Sequence, residues 1–411
     1  MILTRPDGCK PTHRSHLSRF LPVGVAAATT LLILASTPVA AQGGRRSLDL
    51  TVNGTGISIG ESRRVRGLRL NYRDSRLERV DGINATLWYP YEGGEGNVNG
   101  IALGLPLTGG RRITGISAGL GVGATEKISG IGAALAGIGS GGDVTGIFAG
   151  GLGMGSGGRI SGLAIGGLGV GAGSDLRGIM IGGLGAGSGR NAKGLLVGGL
   201  GAGVGGDVEG IAIGGLGVGA GGRFMGVGIG GIGVGGGAGG RGLLIGGIGA
   251  GLGGDFQGIA IGGIGVGAGG DFRGIGIGGA GVGVGGNGSG IFVGGLGVGS
   301  GGSLRYIAIG GLGVGAPRIT GLAVGGLGVG GEHLEGVMIG GYTVRIIEGG
   351  TFRGVGASAY NDIRGTQRGL TIGLVNRAWT LHGMQIGVIN VVRNNPKGRR
   401  VLPLVNWNFD K

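Results

Sequence analysis

Apolar residues recur along most of this chain at intervals set by glycine. In the segment GIAIGGIGVGAGGDFR, residues 258–273, Ile259, Ile261, Ile264 and Val266 stand among glycines, and charge appears only in the last three residues. The unit returns sixteen residues earlier as GLLIGGIGAGLGGDFQ and sixteen later as GIGIGGAGVGVGGNGS. Gly130, Gly146, Gly162, Gly178, Gly194, Gly210, Gly226, Gly242, Gly258, Gly274 and Gly290 each open such a unit. Units of 14 to 18 residues open at Gly67, Gly82, Gly100 and Gly115 on one side. On the other they open at Tyr306, Gly321, Gly336, Gly354, Gly369 and Gly383.

Numbered from its opening glycine, a unit is aliphatic at positions 2, 4, 7 and 9 and often apolar at position 15. Alternation with period two predicts strands rather than helix. The parity of the aliphatic positions changes across the Gly-Gly pair at positions 5–6. A chain that turns there, where glycine accepts positive φ, points all four aliphatics into one core. The pattern therefore predicts two short strands per unit, with corners at positions 5–6 and 12–14. Stacked in register, such units form an all-β solenoid of about twenty coils of 14–18 residues, mostly 16. At about 4.8 Å per coil, this is a rod of roughly 100 Å. The alternative is a transmembrane β-barrel acting as an outer-membrane pore, with one strand per unit. Against it, every turn is alike, and the parity change demands a bulge at one height in nearly every strand. Positions 8 and 10 face outward in the solenoid and are glycine in every unit from Gly146 to Gly290. They leave a flat face suited to close packing on another sheet, a glycan or a membrane.

Composition separates this reading from two others. The chain has 411 residues, of which 122 are glycine and nine proline, without the triplet frame of collagen. A hydrophobic fraction of 41%, held in register, is also unlike a flexible linker. The N-terminus has the form of an export signal. Arg5, Lys10, Arg14 and Arg19 precede the apolar run 23–35, and cleavage is expected after Ala41. The chain thus divides into a signal peptide (1–41), an N-terminal segment with polar capping coils (42–99), a glycine-rich array (100–368), and C-terminal repeats with a cap (369–411). Arg69, Asn71, Arg73, Asp74, Arg76, Trp88, Tyr89 and Tyr91 distinguish the first end, and Trp379 and Trp407 the second. The only cysteine, Cys9, lies within the signal, so neither a disulfide framework nor thiol chemistry is expected. A net charge of +15 favours an anionic glycan or lipid surface, or another protein. The basic residues are scattered without aromatic clustering, which argues against nucleic acid.

GLTIGLVN (369–376), GMQIGVIN (383–390) and NNPKGRRVLPLVN (394–406) resemble the glycine-rich surface repeat family of bacterial exported proteins, whose unit is similar to G-L-Q-I-G-L-x-N. The match is close at the C-terminus and looser in the centre, where glycine replaces Gln and Asn. The resemblance implies a cell-envelope or surface location, no established enzymatic activity and no catalytic residues to carry over; the expected location is the cell envelope, outer membrane or cell surface.

Candidate chemistry is sparse. GxGxxG strings recur in every unit with no helix following, so they read as corners rather than a dinucleotide site. Asp143, Asp207, Asp255 and Asp271 follow Gly-Gly, but Arg159, Arg223 and Ser303 occupy equivalent corners. Isolated carboxylates fall short of the oxygens that Ca²⁺ requires. His333 and His382 lie in different units, and Gly155-Ser156 lacks a nucleophile elbow. No catalytic, cofactor-binding or metal residues are expected. The sequence predicts a non-enzymatic, exported structural or interaction scaffold.

Overall fold

The computed structural model describes residues 47–74, 76–87 and 95–409. The expected export signal and the aromatic group Trp88, Tyr89 and Tyr91 lie outside them. The described chain is an all-β solenoid of about 19 turns, with coils of about 16 residues.

A central coil contains a seven-residue strand, such as Phe256–Gly262, and a four-residue strand, such as Gly265–Ala268. Turns at 263–264 and 269–271 join them. Each strand pairs in parallel with its own equivalent one coil away. Phe256 faces Phe272, Gly258 faces Gly274, and Val266 faces Val282. Backbone hydrogen bonds therefore run along the rod, as from the Leu184 N–H to the Leu168 carbonyl (2.7 Å) and from Leu200 to Leu184 (2.7 Å). These bonds satisfy groups that a glycine-rich loop would leave to water. Parallel pairing at a sixteen-residue offset is incompatible with the antiparallel neighbours of a bacterial barrel, so the barrel alternative is wrong.

The opening glycine, inside the seven-residue strand, meets a backbone demand that the spacing does not indicate. Every opening position from Gly67 to Gly383 has a positive φ, such as +143° at Gly258. A side chain there would run into the carbonyl oxygen of the preceding coil's opening residue; at Gly258 that is the Gly242 oxygen. Tyr306 is the single opening residue with a side chain, at φ 84°.

The core differs from the expected one. Of the four recurrent aliphatics only position 9 is buried, as with Val266 at 4% exposure. The other inward residues are position 3 (Ala260), position 11 (Ala268) and position 15 (Phe256, Phe272), all buried. Positions 2, 4 and 7 point outward: Ile259 is 40% exposed, Ile277 41% and Ile264 56%. The chain keeps one alternation around most of the coil, odd positions inward, with position 7 swung out at a corner. The physical reason is the narrowness of the coil. Its opposed walls leave room for alanine, glycine or valine, and a large residue only where its neighbour is small. A Cβ on Gly276 would stand 3.0 Å from the Phe272 ring and 3.1 Å from that of Phe292. The rings of Phe256, Phe272 and Phe292 stack edge-on with successive centroids 5.1 Å apart.

Antiparallel pairs close the described rod at both ends. Ser47–Val52 folds back on Thr55–Gly60, and Val401–Asn408 folds back on Tyr360–Val392. Side chains expected as an outer polar cap turn inward at the first end. Arg69, Asn71 and Asp74 are buried. Arg69 is ion-paired with Asp74, and its Nη1 donates to Asn84 Oδ1 (3.0 Å). Thr86 Oγ1 donates to Asp74 Oδ2 (2.8 Å).

Candidate functional site

The outward surface falls into zones that run parallel to the rod, because every coil repeats the same order. Positions 2 and 4 form two aliphatic ladders, with Ile179, Ile211 and Ile259 in one and Ile165, Ile229 and Ile277 in the other, all exposed. Position 7 forms a ridge. Leu152, Leu168, Leu184, Leu200 and Leu216 are 49–51% exposed, a constancy that follows from the identical register of each coil. Beyond the ridge, positions 8 and 10 form a bare track, such as Gly201 and Gly203. Near the C-terminal end the aliphatic zone deepens into an open hollow of about 560 Å³ lined by Ile372, Leu374, Ile386, Val388 and Leu404.

The remaining corner is polar, and its acids serve the stack. Asp143 Oδ1 accepts from the Arg159 N–H (2.8 Å), Asp207 Oδ1 from Arg223 (2.7 Å), and Asp255 Oδ1 from Asp271 (2.8 Å). Asp271 Oδ1 accepts in turn from Asn287 (2.8 Å). Each side chain thus caps the backbone of the following coil at the same position. The Asn287 N–H holds the Asp271 carboxyl below its ordinary range, with the Asn287 side chain and Arg273 acting in the same sense against desolvation. At Asp175, desolvation pushes upward, but the Asn191 N–H, Arg190 and Arg159 outweigh it and lower the carboxyl. On the neighbouring edge, position 16 carries exposed Arg177, Lys193, Arg241, Arg273 and Arg305, and Lys193 pairs with Glu209 (2.9 Å).

The fold does not bring the candidate chemical residues together. His333 Nδ1 bonds Thr351 Oγ1 (2.8 Å), and His382 belongs to a different coil. Ser156 is buried and donates to the Gly142 carbonyl (2.6 Å). Among the described residues no group of three or more His, Cys, Asp or Glu could hold a metal. No helix among them is long and apolar enough to cross a membrane.

The C-terminal coils hold a polar interior that pattern reading missed. Val329 pairs with Val344, and Val344 with Asn361, so the buried valine ladder of position 9 continues as asparagine. Asn361 Nδ2 donates to Asn376 Oδ1 (2.7 Å), and Asn376 Nδ2 to Asn390 Oδ1 (2.8 Å). Gln385 Nε2 donates to Gln367 Oε1 (3.0 Å). The 15- and 14-residue spacing of these asparagines was the available signal. No protein-family model matches the chain, and neither a curated protein nor a solved structure matches it.

Proposed function

We propose that the protein is a non-enzymatic, exported repeat protein of the bacterial cell envelope or surface, which acts as a rigid scaffold for docking a partner surface. One observation carries this reading. The aliphatic ladders at positions 2, 4 and 7 face outward in coil after coil, exposed at position 7 and exposed or half-buried at positions 2 and 4. A soluble monomer rarely exposes more than about 300–600 Å² of contiguous apolar surface, and ladders repeated over more than a dozen coils exceed that. Rigidity follows from backbone bonding of each coil to both neighbours. About 19 turns at about 4.8 Å make a rod of roughly 90 Å. Envelope placement rests on the signal-like N-terminus and on the GLTIGLVN and GMQIGVIN units.

The test is expression in a bacterial host with the native N-terminus, followed by cell fractionation and N-terminal sequencing. The expected product begins at Gln42 and fractionates with the envelope or the cell surface. A cytosolic chain that still begins at Met1 would overturn the proposal.

A further inference from the structure

The glycines of this solenoid fall into two groups when each is asked what a side chain would meet. At positions 1, 5, 6 and 12 an added Cβ would press on backbone of the same or the preceding coil, as at Gly258, Gly262, Gly263 and Gly269. These glycines are explained by the coil itself. Position 10 is different. At Gly139, Gly155, Gly203, Gly219, Gly283 and Gly315 an added Cβ would meet nothing within 4 Å. None of these residues has a positive φ. Gly187 is the exception at position 10, with the Gly203 oxygen at 2.8 Å. Position 8 is mixed: Gly185, Gly201, Gly249 and Gly265 would meet a carbonyl oxygen of the next coil at ordinary distances of 3.6–3.9 Å, whereas Gly137, Gly153, Gly169 and Gly281 would meet one at 2.9–3.2 Å and are partly explained by the coil.

The coil also shows directly that side chains fit there. Gly328 and Gly330 pair with Thr343 and Arg345 of the next coil, so the same positions carry threonine and arginine where the track ends. Glycine inside a strand costs about 0.5–1 kcal/mol relative to alanine. The bare track runs from Gly137 to Gly330 with no intramolecular need for most of its position-10 glycines. Glycine inside a strand often marks a bulge, a tight bend, or a place where a ligand or another backbone approaches closely, and the regular pairing at these positions leaves the last.

We propose that the glycine track is a homodimer interface, occupied by the same track of a second copy. This deepens the scaffold reading and rests on it. Three observations select a second copy over other occupants. The track repeats at the inter-strand spacing of about 4.8 Å, and a second solenoid has the same pitch along its whole length. The half-exposed leucine ridge borders the track on one side only, so a two-fold axis along the seam sets one ridge on each edge of the shared surface and closes it from water. Finally, the track spans roughly 60 Å by 13 Å, about 800 Å² per partner, which is the burial of a standard stable interface. It contains no charge and no aromatic side chain between Gly137 and Gly330 at positions 8 and 10, whereas a membrane-facing surface favours interfacial Trp and Tyr.

Sedimentation equilibrium of the full chain tests the proposal, using the wild type, a Gly203→Val/Gly219→Val/Gly283→Val variant, and a Leu200→Ser/Leu216→Ser variant. The wild type is expected to be a dimer with a Kd of roughly micromolar or tighter. The valine variant should be monomeric, with an unchanged β circular dichroism spectrum, because an added Cβ at each of the three sites meets nothing within 4 Å and the paired valines at 203 and 219 form an ordinary β-branched ladder contact. The ridge variant should bind itself at least about tenfold more weakly, and it decides the matter if the valine variant misfolds. A wild type that stays monomeric at tens of micromolar overturns the proposal, whether or not it binds lipid vesicles or glycans as a monomer. So does a dimer indifferent to the substitutions. A monomeric rod that still reaches the envelope would remove the dimer and leave the scaffold reading standing, whereas a cytosolic dimer would do the reverse.

Discussion

Gly258 and Gly219 look alike in the sequence, yet the fold asks different things of them. Gly258 combines φ +143° with a carbonyl oxygen where its side chain would be. Gly219 has open space at the same test. Gly258→Ala should destabilise by about 3 kcal/mol or more, since left-handed strain and a backbone clash add. Gly219→Ala should change the monomer's stability by less than about 1 kcal/mol, and upward, because alanine restricts the unfolded chain. Thermal melts followed by circular dichroism rank the two; equal losses would refute the division of the glycines. Tyr306 is the converse case. It holds the opening position at φ 84° and is 66% exposed, where every neighbouring coil uses glycine. Tyr306→Gly should raise the melting point by the equivalent of about 1 kcal/mol. A fall would mean that the ring makes a stabilising contact worth more than the strain.

At the level of the coil, pattern reading recovered the repeat, the strands, and the turns at 263–264 and 269–271 to within a residue. It misplaced the interior because Ile259, Ile261 and Ile264 were expected to point inward on the strength of their hydrophobicity. The governing quantity was volume. A coil whose walls are this close accepts Ala260 and Val266 and has no space for three more ladders of isoleucine and leucine. Periodicity reports alternation but not which parity faces in, so the candidate surface was hidden in residues assigned to the core. The bare track was legible because position 9 points inward in the expected and the observed coil alike, which turns positions 8 and 10 outward in both. The capping role of the GGD acids was not, since the acceptor bonds cross from one coil to the next. Those bonds make a prediction about acid. The carboxyls of Asp175 and Asp271 are lowered in the folded chain. Their contribution is therefore complete above the unfolded carboxyl value of about 3.9 and is lost as pH falls below it. Asn keeps an Oδ1 acceptor but does not titrate. An Asp175→Asn/Asp271→Asn variant should match the wild-type melting point at pH 7 far more closely than an alanine pair does. It should also lose less stability than wild type between pH 5 and pH 3. Parallel acid profiles for variant and wild type would show that the lowered carboxyls do not couple to folding.

A solenoid rod has two kinds of surface on which to associate, and the molecule treats them differently. Sideways contact between identical tracks closes after two copies. Contact between ends is heterologous and does not close, so it leads to filaments. Both described ends carry an antiparallel strand in place of another parallel coil. At the C-terminal end, Val401–Asn408 covers the last coil edge and carries Pro403, which lacks a ladder donor. The cap is also fixed from within: Asn390 Nδ2 donates to the Leu402 carbonyl (3.3 Å), and Asn395 Nδ2 to Asn406 Oδ1 (2.9 Å). Removing residues 395–411 takes away both bonds and uncovers the edge of Gly383–Val392, a template for further strands. The truncated chain should assemble end to end into filaments visible by electron microscopy, with a rate that rises with protein concentration. Full-length protein at the same concentration should stop at the closed species. Truncated chains that remain the size of the parent would show that the exposed asparagine ladder, still hydrogen-bonded between Asn361, Asn376 and Asn390, blunts the edge without its strand.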